Sequence, residues 1–149
     1  MIRKATVEDV KAIQNLVNHH ADKGEMLPRS LGDTCDNVRD FFVYEEDGAM
    51  LGCGALHVTW VDLAEVRSLA VMDDAKSRGI GTALLAACLE DAERLNIKRV
   101  FALTYKPGFF ERKGFQQIDK NELPHKVWLD CVKCVKFPDC DEVAVIRTL

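Results

Sequence analysis

No stretch of this 149-residue chain approaches the roughly 20 consecutive apolar residues that would cross a bilayer. Proline and glycine are scarce, at 4 and 9 residues, and no low-complexity tract, linker or internal repeat appears. Those scarcities exclude a collagen-like or disordered polymer. Positive charge is not in excess either: 20 Lys and Arg stand against 24 Asp and Glu, a net charge of −4. A dedicated nucleic-acid binder is therefore not expected. The opening residues Met1-Ile2-Arg3-Lys4-Ala5-Thr6 hold no apolar signal-peptide core. A cytoplasmic protein with no membrane partner is the expectation.

What the chain does have is 48% apolar and 30% charged residues, enough for one proper core. A single domain over residues 1–149 is expected. The six cysteines, without a secretion signal, read as reduced thiols rather than a disulfide framework. Cys53 and Cys88 sit in apolar patterns and read as small core residues. Cys131, Cys134 and Cys140, with His125 as a fourth ligand, have the spacing of a structural zinc site. The strong zinc pattern needs two pairs, however, and the last element here is single. No metal is expected. His19, His20 and His57 have no matched partner in the sequence and read as structural.

Hydrophobic periodicity gives the element order. Ile2 to Thr6 reads as a strand, and Thr6-Val7-Glu8-Asp9 as a capping-box-like start to a helix carrying Val10, Ile13, Leu16 and Val17. Gly24 ends that helix, and Pro28 makes Met26 to Ser30 irregular. A short helix is expected from Asp36 to Arg39. Phe41–Tyr44 and Ala49–Thr59 flank Asp47-Gly48, a hairpin signal. Leu63 to Met72 is the next strand. Gly79 to Leu95 is a helix with Ile80, Leu84, Leu85, Cys88, Ala92 and Leu95 on one face. A strand at Arg99 to Thr104 follows, then a short helix, and the last strands are expected at Val127–Leu129 and Glu142–Ile146. The order β-α-α-β-β-β-α-β-α-β-β implies an α/β fold, a mixed sheet flanked by helices.

The most informative stretch joins a strand end to a long helix: Leu69-Ala70-Val71-Met72-Asp73-Asp74-Ala75-Lys76-Ser77-Arg78-Gly79-Ile80-Gly81-Thr82. The first amides of a helix have no internal partners, and the helix dipole favours an anion there. Gly79 and Gly81 keep side chains away from those amides, and Lys76 and Arg78 add positive charge. The pattern is neither a Walker loop nor the dinucleotide fingerprint. An ordinary strand-to-helix turn with two glycines is the alternative.

Lys76-Ser77-Arg78-Gly79-Ile80-Gly81 resembles the acetyl-CoA-binding motif of the GNAT N-acetyltransferases, Gln/Arg-x-x-Gly-x-Gly/Ala, with Lys at its first position. Phe110-Glu111-Arg112-Lys113-Gly114-Phe115 is similar to a second signature of that family, aromatic-Glu-x-x-Gly-Phe. Longer strings resemble one branch, the short N-acetylglutamate synthases of bacterial arginine biosynthesis. These are Met26 to Ser30, Asp62 to Val71, Phe101 to Tyr105, Leu123 to Trp128 and Cys134 to Glu142. The resemblance implies the GNAT fold and transfer of acetyl from acetyl-CoA to the α-amine of L-glutamate by direct attack in a ternary complex. Glutamine or another small amine is the alternative acceptor, and a non-catalytic CoA- or zinc-binding module is the alternative from another class. Classical enzymes of the branch carry an amino-acid-kinase-like domain that houses arginine inhibition. These 149 residues hold no such segment, so that site is expected to be absent. GNAT domains often pair, which leaves a homodimer open.

The resemblance assigns the cofactor to Leu69, Ala70, Val71, Lys76, Ser77, Arg78, Gly79, Ile80, Gly81, Thr82 and Phe110. Strict alternation would put Glu65, Arg67, Leu69 and Val71 on one strand face. Charges at 65 and 67 are costly there unless partnered, so an ion pair at a sheet edge is one reading. The other makes Glu65 the general base, acting through a water, with Arg67 holding a substrate carboxylate in its fork. Many GNAT enzymes use a Tyr as general acid where this chain has Phe110. Thr104 and Tyr105 are the nearest hydroxyls and the candidates to protonate the thiolate, unless Thr104 caps a turn and Tyr105 packs. A dicarboxylate acceptor needs several cations, and Arg29, Arg67, Lys106 and Lys126 are the candidates.

Overall fold

The computed structural model describes residues 1–124 and 142–149. Seven strands form one sheet in the order β1-β2-β3-β4-β5-β7-β6. The strands are β1 (Ile2–Lys4), β2 (Phe41–Glu46), β3 (Ala49–Trp60), β4 (Leu63–Val71), β5 (Arg99–Thr104), β6 (Gln116–Ile118) and β7 (Val143–Thr148). The helices are α1 (Val10–Asp22), α2 (Leu31–Asp36), α3 (Ile80–Arg94) and α4 (Pro107–Glu111). Only β4 and β5 pair in parallel, and all other neighbours are antiparallel.

One long helix packs on each sheet face. Ile80, Leu84, Leu85, Cys88 and Ala92 of α3 pack on Leu56, Ala64, Val66, Val100 and Ala102. Ile13, Leu16 and Val17 of α1 pack on Phe41, Val43, Cys53, Ala55 and Ala70 on the other face. Ile13 is fully enclosed. Ile13→Val is therefore expected to cost about 0.5–1.5 kcal/mol, read as an earlier urea midpoint with an unchanged slope.

One expected position shifts. The short helix forms at Leu31–Asp36 rather than Asp36–Arg39, because the Ser30 hydroxyl caps it by accepting the Asp33 N–H at 3.0 Å. Val38–Asp40 is a single 3-10 turn. An edge strand at Gln116–Ile118 pairs with β7. The strand expected at Val127–Leu129 lies outside the described residues.

The feature that positions everything else is the parting of β4 from β5. Their register holds for three pairs, Leu63 with Arg99, Ala64 with Val100 and Glu65 with Phe101, and ends there. A bulge in β4 accompanies it. Arg67 faces Ala55 and Ala70 faces Cys53, so Ser68 and Leu69 together oppose the single residue Gly54. Ser68 sits in the left-handed region with φ 55°, a conformation non-glycine residues adopt where the surroundings enforce it. The bulge overturns strict alternation along β4. Leu69 and Val71 turn to the α3 face, while Ala70 packs on the α1 side.

Candidate active site

Where β4 and β5 part, a cleft of about 680 Å³ opens. Its walls run from Arg67, Ser68, Leu69, Ala70 and Val71 on β4, past Lys76, Ser77, Gly79, Ile80, Gly81 and Thr82, to Thr104, Lys106 and Phe110. Most residues expected from the sequence to hold a cofactor therefore stand around one space. Gly79, with φ 79°, precedes α3 and offers no side-chain cap. Ala83 is the first residue whose amide reaches back to Gly79, so the N–H groups of Ile80, Gly81 and Thr82 lie ahead of the helical ladder. Open amides at a helix start suit an anion, and these residues line the cleft.

Arg78 belongs to the turn but not to the cleft wall. Its guanidinium turns to β2 and meets Glu46 Oε2 at 2.6 Å. Lys76 lines the cleft while its ammonium lies 3.3 Å from Asp73. The exposed Asp73 also takes His19 and Lys23, each at 2.7 Å, and those bonds hold its carboxyl well below the usual range. Phe110 is buried against Phe109 and Phe115 in edge-on contacts, so no hydroxyl stands at that position.

Glu65 is the last residue of β4 still paired with β5, at the apex of the opening. Its carboxylate accepts from Arg67 Nη2 at 2.8 Å, and the two side chains are 12% and 11% exposed. The ion pair anticipated for these charges exists, yet it stands at the apex of the opening, and Arg67 itself lines the cleft. Arg67 and Ser68 also line a second, small cavity on the α2 side, shared with Arg29, Asp33, Asn37 and Asp40. Arg29 reaches it because Asn18 of α1 clamps the loop. Asn18 Oδ1 accepts the Arg29 N–H at 2.9 Å, and its Nδ2 donates to the Arg29 carbonyl at 3.1 Å. The Arg29 guanidinium is 3.3 Å from Asp33.

Thr104 caps a turn and also stands on the cleft wall. Its Oγ1 accepts the Lys106 N–H at 2.9 Å, with the hydroxyl proton still to give. Tyr105 is half-buried and off the cleft wall. Lys106 lines the cleft and stands 3.8 Å from Glu25. Lys126, and the Cys131, Cys134, Cys140 and His125 set, lie outside the described residues. Among the described residues, no three His, Cys, Asp or Glu side chains are grouped to hold a metal. No helix among them is long and apolar enough to cross a membrane.

Sequence reasoning missed the pair His20 and Glu25, both on the cleft wall. The signal was present: His20 continues the buried stripe of Ile13, Leu16 and Val17 at helical spacing. The Glu25 carboxyl is raised by burial but lowered further by Lys106, Lys76 and His20, and ends below its usual value. Beneath the bulge, Cys53 Sγ donates to the Ser68 carbonyl at 3.5 Å, and burial pushes its thiol up to about 12.

The sequence profile described as the Acetyltransferase (GNAT) family matches residues 8–115. The chain belongs to the GNAT family. An uncharacterized N-acetyltransferase of Chlorobaculum tepidum is 38% identical over 99% of this chain and 96% of its own length. An amino-acid acetyltransferase of Mycobacterium tuberculosis is 38% identical over 86% of this chain and 75% of its own. The N-acetylglutamate synthase of Neisseria gonorrhoeae, solved with coenzyme A and N-acetyl-glutamate, superposes with a TM-score of 0.91 at 30% identity. That match covers 100% of this chain and 35% of the Neisseria one, so this GNAT chain spans about a third of that enzyme. The seven-stranded mixed sheet with its parted β4 and β5 is thus the GNAT fold, and the protein is an acetyltransferase related to the amino-acid acetyltransferases.

Proposed function

We propose that this GNAT enzyme transfers the acetyl group of acetyl-CoA to the α-amine of L-glutamate, giving N-acetylglutamate. The observation that carries the reading is one large cleft bordered both by Arg67 and Ser68 and by the open amides of α3. A small cavity lined by Arg29 and Arg67 adjoins it. The large cleft suits CoA: its diphosphate would take the N–H groups of Ile80, Gly81 and Thr82, and Lys76 would add charge. The small cavity, at about 10 Å³, has room for one water and not for an amino acid, so the acceptor would sit in the large cleft beside Arg67, whose planar guanidinium fork matches a carboxylate. The relatives named amino-acid acetyltransferase and the Neisseria synthase support the same acceptor.

In this reading the acceptor amine loses a proton through a water to Glu65 and attacks the thioester carbonyl. Nitrogen–carbon bond formation and carbon–sulfur cleavage then yield the amide and a thiolate. A backbone N–H at the bulge, around Leu69, stabilises the developing oxyanion. The Thr104 hydroxyl donates to the departing sulfur, and water returns the proton; a thiol of pKa near 8.5 leaves without a strong acid. Tyr105, off the cleft wall, is the second choice for that donor. Lys106, on the cleft wall, adds to the cationic surround of the acceptor. The enzyme would be cytoplasmic and would open arginine biosynthesis.

One observation favours glutamine as acceptor. Arg29 and Arg67 each already face a carboxylate, Asp33 and Glu65, which lessens the charge left for a second substrate carboxylate. Mass spectrometry of a reaction holding acetyl-CoA with glutamate and glutamine together decides between them. N-acetylglutamate as the main product is expected, and N-acetylglutamine in its place overturns the glutamate assignment.

A further inference from the structure

His20 is the one buried histidine among the described residues, at 2% exposure, and its ring forms part of the cleft wall. Both ring nitrogens are engaged. Nε2 lies 2.8 Å from the Val71 carbonyl oxygen, and because a carbonyl only accepts, Nε2 is the donor. Nδ1 lies 3.1 Å from Glu25 Oε2.

The sequence builds this contact from the end of α1. Gly24 is in the left-handed region, φ 76°. Its N–H donates to the Ala21 carbonyl at 2.9 Å, and the next N–H, of Glu25, donates to the His20 carbonyl at 3.1 Å. That is a Schellman closure, and it folds Glu25 back onto the residue one turn earlier. The space around Gly24 is empty to 4 Å, so the glycine serves the backbone angle and not packing.

The acceptor of the His20 bond is the informative part. The Ala70 carbonyl points at β3, 3.1 Å from where a side chain on Gly52 would begin. Successive carbonyls of a strand alternate, so Val71 aims its carbonyl at the opposite edge, where β5 has already left. A strand edge with no neighbour presents polar groups that need partners and a backbone that is held less firmly. His20 supplies such a partner.

We propose that His20 is a positioning residue for the cofactor: held by Glu25, it fixes the Val71 carbonyl and with it the open edge of β4 along which the pantetheine arm of CoA lies. The proposal rests on the reading of the large cleft as a CoA site. It assigns His20 no part in proton transfer to the acceptor, which enters from the Arg29 and Arg67 side.

The test is calorimetric titration of the full chain with CoA, with no acceptor present, for the wild type and for His20→Leu and His20→Gln. His20→Leu is expected to bind CoA about five- to tenfold more weakly, the worth of one buried hydrogen bond. His20→Gln keeps an amide donor near the Nε2 position and is expected to recover most of that loss. At saturating acetyl-CoA, the KM for the acceptor is expected to stay within about twofold in both variants, whereas general loosening of the site would move both constants. Should His20→Leu fail to fold, Glu25→Gln, which keeps the packing, is expected to weaken CoA about two- to threefold. Wild-type affinity in His20→Leu, or equal losses in the Leu and Gln variants, overturns the positioning role. A wild-type chain that binds no CoA overturns the reading of the cleft, and the proposal with it.

Discussion

Glu65→Gln is expected to lower the turnover of acetyl transfer by about 100- to 1000-fold, the range typical of a lost general base. CoA affinity should stay within about twofold, because Glu65 lies at the apex of the β4–β5 opening and off the wall of the large cleft. Two consequences distinguish this from a structural effect. The glutamine side chain retains an oxygen to accept from Arg67 Nη2, now 2.8 Å from the carboxylate, so the guanidinium keeps its place. The acceptor KM should therefore move little while kcat falls, the pattern of an interaction made only in the transition state. Steady-state thiol release at several acceptor concentrations, with CoA titration of the same variant, reads both quantities. A variant with wild-type turnover would reduce Glu65 to the ion-pair partner of Arg67.

Arg67→Ala is expected to have the complementary signature. Removing a guanidinium that faces both cavities should raise the acceptor KM by about 10- to 100-fold, as hydrogen bonds to charged groups are worth about 1.5–3 kcal/mol. Arg67→Lys should recover little, since a point charge on a flexible stem does not reproduce a planar fork. Arg67 also contacts Glu65, so the two effects should not be additive, and the double variant measures the coupling. If the acceptor KM of Arg67→Ala is unchanged, Arg67 does not hold the acceptor's carboxylate.

Local chemistry was legible in the sequence, and chemistry made by distant pairing was not. The turn from Asp73 to Thr82 and the stripe of α3 could be read directly, because a left-handed glycine and a 3.6-residue period are properties of neighbouring residues. So could the hairpin at Asp47-Gly48, whose two residues both take positive φ. Ser30 with Asp33 was a readable helix start, overshadowed by the irregularity expected from Pro28. The bulge at Ser68 was not readable. Alternation assumes an unbroken ladder, and what breaks it is the mismatch of β4 against Gly54 on another strand. This reversal is what turns Leu69 and Val71 to the α3 face and leaves Arg67 facing the small cavity. The strand Gln116–Ile118 is two-thirds polar and carries no alternation, and it exists because β7 pairs with it. Likewise His20 read as structural and continued a buried stripe, but its partners come from the Schellman closure and the departing edge of β5.

The central claim is that the cleft bordered by Arg67 and Ser68 serves acetyl-CoA and glutamate. The measurement that bears on it most directly is thiol release from acetyl-CoA, followed with a thiol-reactive dye, against each amino acid in turn. Saturable release with L-glutamate, far above that with every other amino acid, is the predicted result. Release with a different amino acid, or none with any despite measurable CoA binding, would contradict it.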